Sequence, residues 1–141
     1  MPRRVVSQMK QFTIRLTEGK DVKQEIERVV LENNIQAGVI LAAVGGLQNA
    51  VFRLSKLPNS EHPIKEIEGP LEIVSCSGTL SKEGCHIHLS VSDREGNCYG
   101  GHLKKGSTVF VTVELVFGVF EDVVYKRIFD EQTGFKELSL E

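Results

Sequence analysis

Three of the four histidines of this chain fall within seventeen residues of one another, as His86, His88 and His102. The segment Cys85-His86-Ile87-His88-Leu89-Ser90-Val91-Ser92 alternates strictly between apolar and polar residues. In an extended strand, residues two apart point to the same side, about 6.5–7 Å apart along the chain. Ile87, Leu89 and Val91 therefore face a core, while His86, His88, Ser90 and Ser92 face the other way. Two imidazoles at that spacing can lean onto one metal ion.

The third imidazole depends on the register of the following turn. If the loop has an odd number of residues, such as Arg94-Glu95-Gly96, residues whose numbers sum to 190 lie opposite and His102 faces His88. If the turn is the two-residue Glu95-Gly96, the sum is 191 and His102 points to the opposite face. Three neutral imidazoles with an open fourth position suit a ligand-binding or catalytic zinc site. Nickel, iron or copper would also accept them. The competing reading is a solvated polar strand face. His62 sits in a Pro-flanked loop outside this pattern.

Other residues have less specific signals. Glu114 interrupts the apolar run Val111-Thr112-Val113-Glu114-Leu115-Val116-Phe117. It reads as an exposed strand residue, or as a base or a hydrogen-bond acceptor beside the metal ligands. Asp93 reads as a cap for the hairpin turn. Gly45-Gly46 lacks the spacing of a nucleotide-binding loop and reads as a bulge. Gly100-Gly101, just before His102, would let a metal, a ligand or another chain approach the backbone. The cysteines Cys76, Cys85 and Cys98 have no CxxC spacing and read as small core residues, with Cys85 on the face opposite the histidines.

These residues need a scaffold. Phe12, Ile14 and Leu16 alternate as a strand. Asp21 caps a helix, with Gln24 in the capping-box position and Val22, Ile26, Val29 and Val30 on one face up to Asn33-Asn34. Strands are expected at 39–44, 47–54, 64–68, 71–80, 85–92, 98–103, 108–117 and 123–129, with breaks at Gly45-Gly46 and Gly69-Pro70. The result is an α+β fold with one main helix and a mixed, largely antiparallel sheet. The 141 residues suffice for one domain, with tails at 1–8 and 136–141.

Composition narrows the function. Net charge is −2, without the basic excess that phosphate neutralisation demands of a nucleic-acid binder. The sparse, odd cysteine set fits a reducing, cytoplasmic setting. Arg3-Arg4 is not followed by the apolar core of a signal peptide, and no apolar run is long enough to cross a bilayer.

Gly69-Pro70-Leu71-Glu72-Ile73-Val74-Ser75-Cys76-Ser77-Gly78, His86-Ile87-His88-Leu89-Ser90-Val91-Ser92-Asp93 and Gly100-Gly101-His102-Leu103 together resemble the PPC (plants and prokaryotes conserved) family. Gly45-Gly46-Leu47-Gln48-Asn49-Ala50 is similar to that family's Gly-Ser-Leu-like stretch, and the resemblance runs over about residues 9 to 130. It implies the α+β fold, a homotrimer, and zinc or a related metal on His86, His88 and His102. Plant members carry AT-hook motifs that enter the minor groove of A·T-rich DNA. This chain has no Arg-Gly-Arg-Pro core, Pro2-Arg3-Arg4 being nearest, and resembles the stand-alone prokaryotic form.

Trimer formation would cover sheet edges and the apolar surface of Val109, Phe110, Val111, Val116 and Phe117. Three functions follow as expectations: a metal-binding homotrimer that takes a small-molecule ligand, with any catalysis of the metal-assisted hydrolytic kind; a regulatory module tied to DNA or its bound partners; and a structural trimer stapled by metal.

Overall fold

The computed structural model describes residues 4–141. Met9–Thr17 forms β1, Val22–Glu32 forms α1, and Gly38–Arg53, Ile64–Ser81, Gly84–Ser92, Cys98–Leu103 and Val109–Phe120 form β2 to β6. Tyr125–Asp130 and Phe135–Leu140 form β7 and β8. The six longer-range strands make a sheet in the order β1-β6-β2-β3-β4-β5, and every pairing of named strands is antiparallel. β2 is long enough to serve two neighbours on one edge. Its first part pairs with β6, and its end pairs with β5 through Phe52↔Leu103 and Arg53↔His102. β2, β3, β4 and β5 thereby close into a small barrel-like ring.

Local chemistry sets the helix. The Asp21 side chain accepts from the Gln24 N–H at 3.0 Å, and its second oxygen accepts from the Gly106 N–H at 2.6 Å. One carboxylate thus satisfies an orphan donor of the first helical turn and ties the helix to the β5–β6 loop. Val22, Ile26, Val29 and Val30 are buried, as their spacing requires. They join a core that includes Phe52, Leu80, Ile87, Leu89, Val91, Leu103 and Phe117. Among the described residues no helix is long and apolar enough to cross a membrane.

Three expectations change. β2 continues through Gly45-Gly46 rather than stopping there. The register with β6 shifts at this point, leaving Val111 and Thr112 as extra residues. Gly45 has φ +147°, and a Cβ there would lie 2.8 Å from the Val113 Cα, so the bulge requires glycine. β3 likewise runs unbroken past Gly69-Pro70. The carboxy-terminal residues read as a tail instead form β8, paired with β7 from Tyr125↔Leu140 to Asp130↔Phe135. Of the amino-terminal tail, residues 1–3 lie outside the described residues, and residues 4–8 adopt no regular element.

Candidate metal centre

The hairpin between β4 and β5 has the odd-loop register. His88 pairs with His102, Leu89 with Gly101, Ser90 with Gly100, Val91 with Tyr99 and Ser92 with Cys98. Asp93 holds the turn: its carboxylate accepts from the Glu95 and Asn97 N–H groups, both at 2.9 Å, and from the Tyr99 hydroxyl at 3.3 Å. That pattern of local bonds selects the loop length, and the loop length decides which way His102 points. Ile87, Leu89 and Val91 are buried and send the histidines outward.

The three rings converge. Ring centroids lie 4.9 Å apart for His86–His88, 5.1 Å for His86–His102 and 5.7 Å for His88–His102. The Nε2 atoms of His86 and His88 are 3.1 Å apart, and one nitrogen of each of the three residues lies within 4.8 Å of the others. Two nitrogens on a tetrahedral zinc ion, each about 2.0–2.1 Å from it, stand about 3.3 Å apart, so small ring rotations suffice to share one ion.

The electrostatics favour the neutral form of His86 and His102. Burial, and then the neighbouring Arg53 guanidinium, push the His102 imidazole down to about 4. Burial, His88 and Arg127 lower His86 as well. A depressed histidine stays unprotonated to lower pH, and the unprotonated imidazole is the metal-binding form. His102 Nδ1 is also buried with no hydrogen-bond partner among the described residues. Leaving such an atom unsatisfied costs about 1–3 kcal/mol. Ring spacing, neutral donors and an orphaned nitrogen together fit a divalent metal ion.

The other candidates fall elsewhere. Glu114 is exposed on β6, cross-strand from Arg15 and Val44, outside the histidine group. Its neighbours Val113 and Leu115 are buried, so alternation turns Glu114 outward on a strand bonded to β1 and β2 rather than to β4 or β5. Cys76 and Cys85 are partly buried against the core, and burial raises both thiols, Cys76 to about 11. Cys98 is exposed rather than in the core. Gly100-Gly101 does permit a close approach, and β2 makes it: a Cβ on Gly101 would meet Phe52 Cβ at 3.0 Å and Arg53 O at 3.1 Å.

Two residues that sequence reasoning missed border the centre. Arg53 lies cross-strand from His102 and stacks its guanidinium on Phe135, 5.8 Å from the ring centroid. Arg127 donates from Nη2 to Thr79 Oγ1 at 3.0 Å, and Thr79 lies cross-strand from His86. Their only sequence signal is a positive charge on a strand; the pairings that bring them here are long-range.

Known proteins share this arrangement of elements. The chain is 38% identical over 133 residues to the bifunctional protein GlmU of a Synechococcus strain, covering 94% of this chain and 20% of that protein. It therefore spans about a fifth of the length of that relative. A metal-containing protein from Archaeoglobus fulgidus superposes with a TM-score of 0.82 at 34% identity, covering 96% of this chain and 99% of that one. A protein from Salmonella cholerae-suis superposes with a TM-score of 0.91 at 29% identity, covering 99% and 98%. Residues 3–121 match the Plants and Prokaryotes Conserved (PCC) domain, and the chain belongs to that family.

Proposed function

We propose that this chain is a metal-binding domain that holds one divalent transition-metal ion, zinc being the best match, on His86, His88 and His102. The observation that carries the reading is the convergence of three imidazoles whose nitrogens lie within 4.8 Å of one another on adjacent strands. The A. fulgidus relative, described as metal-containing, supports it. An ion on three histidines retains an open coordination position and supplies a Lewis-acid centre for a small ligand. That open position is the place for the ligand, and the reading is ligand binding. The test is metal content after reloading with zinc at neutral pH. The expected result is about one ion per chain, as a single three-ligand site requires; none would remove the reading.

The domain works as a cytoplasmic homotrimer in this reading. Val109 and Phe117 are buried within the subunit and are not available as interface. Phe110, Val111 and Val44 remain 41%, 63% and 60% exposed and line one cavity beside the β2–β6 bulge. Val111 has φ +65°, a conformation that a β-branched residue adopts only under constraint. Burying this patch against further copies would remove it from water and cover the bulge. Sedimentation equilibrium is expected to return three times the chain mass; a monomer would contradict the trimer. The charge of −2 lacks the basic excess that direct DNA contact would draw on.

A further inference from the structure

We propose that the cavity between the histidine cluster and the β7–β8 hairpin is a binding site for a small organic carboxylate, with Arg53 and Arg127 as its anion-binding residues. The inference deepens the metal reading and rests on it for part of its charge argument.

The cavity has a volume of about 300 Å³ and is bordered by His86 and His102 on one side and by Phe135, Lys136 and Glu137 on the other, with Arg53 and Arg127 between. The hairpin wall is fixed in place. The Arg127 backbone N–H donates to the Glu83 carboxylate at 2.8 Å, while its guanidinium reaches Thr79. Arg53 is held by stacking on Phe135, whose ring also meets the edge of His62 at a centroid distance of 5.8 Å.

Neither guanidinium has its charge neutralised. Among the described residues no carboxylate forms an ion pair with Arg53 or Arg127. Arg53 Nε is buried and has no hydrogen-bond partner among the described residues. Glu137 is the one carboxylate among the described residues lining the cavity, and it accepts from the Thr133 hydroxyl at 3.0 Å. Lys136 adds a further positive charge. Histidine ligands are neutral, so an ion held by three of them keeps its full double charge beside these cations. Such a site is left strongly positive until an anion enters. A guanidinium offers planar, paired donors that match a carboxylate, and the Phe135 ring suits an organic substituent better than a bare inorganic ion. The volume lies at the lower end of the range for small-molecule pockets.

The probes are propionate, its neutral amide propionamide, and methyl phosphate, titrated by NMR into the whole chain with and without zinc. Metal content is measured in every sample. Propionate is expected to bind at least about tenfold more tightly than propionamide, since a hydrogen bond to a charged acceptor is stronger than one to a neutral acceptor. Arg53→Gln and Arg127→Gln are each expected to remove that preference, Arg53→Lys to restore part of it, and Glu137→Gln to strengthen it. Arg127 lies on the peripheral hairpin, so its variant reports even if Arg53→Gln fails to fold. Equal binding of propionate and propionamide, or unchanged binding in folded Arg127→Gln, overturns the proposal. Tighter binding of methyl phosphate than of propionate overturns the carboxylate assignment. If zinc is present and propionate is not preferred, this proposal fails and the metal reading stands. If zinc is absent throughout but the arginine-dependent preference persists, the metal reading fails and the anion site stands.

Discussion

His102→Ala is expected to weaken zinc binding at least about 100-fold, because losing even a partner that only orients a metal ligand costs 10–100-fold. The substitution removes one of three converging imidazoles and leaves two, which cannot enclose a tetrahedral ion. The change should not cost folding stability in metal-free protein. The ring lies at the outer face, half-buried, and its Nδ1 is a buried nitrogen without a partner, so truncation also removes an unsatisfied group. Competition with a chromophoric chelator measures the affinity, and thermal melting without metal checks the fold. A variant that keeps zinc affinity within threefold of the wild type would show that His102 is not a ligand.

Phe117→Ala is expected to cost about 3–5 kcal/mol, the usual range for truncating a fully buried aromatic residue. Phe117 is wholly buried, lies between β1 and β2 through its pairings with Phe12 and Ile40, and stacks on Phe12 with centroids 5.0 Å apart and planes 9° apart. Collapse of neighbouring side chains into the space is restricted because three strands fix their positions there. Melting should fall by about 10 °C or more for a domain of this size. The histidines lie on other strands, so zinc per folded chain should stay unchanged. A loss below about 1 kcal/mol, outside the range expected for a core cavity, would mean that β6 does not pack as described.

The contrast between these residues shows what the sequence conveys. The histidine face of β4 was readable because alternation is local: Ile87, Leu89 and Val91 are buried where the pattern puts them. The helix was readable for the same reason, since Asp21, Gln24 and the apolar spacing act within a few residues. The direction of His102 was not decided by pattern alone, because a one-residue change in loop length reverses it. The side-chain bonds of Asp93 settle the loop.

Long-range features were not readable. Gly45-Gly46 reads as a bulge and is one, but the sequence does not show that β2 runs on through it to pair with β5 at Phe52 and Arg53. Residues 136–141 read as a tail, yet Phe135–Leu140 pairs with β7, and Phe135, Lys136 and Glu137 form a wall of the cavity. Arg53 reaches the histidines through the β2–β5 pairing, and Arg127 through its bond to Thr79. Glu114 shows the converse: its interruption of an apolar run reflects outward alternation, not a place beside the histidines.

The central claim is that His86, His88 and His102 hold one metal ion within a single subunit. Anomalous diffraction at the zinc edge, from crystals grown with zinc at neutral pH, tests it most directly. The account predicts one peak per chain with an imidazole nitrogen of each histidine about 2.0–2.1 Å away. An absent peak, or a peak that any of the three histidines does not approach, would contradict it.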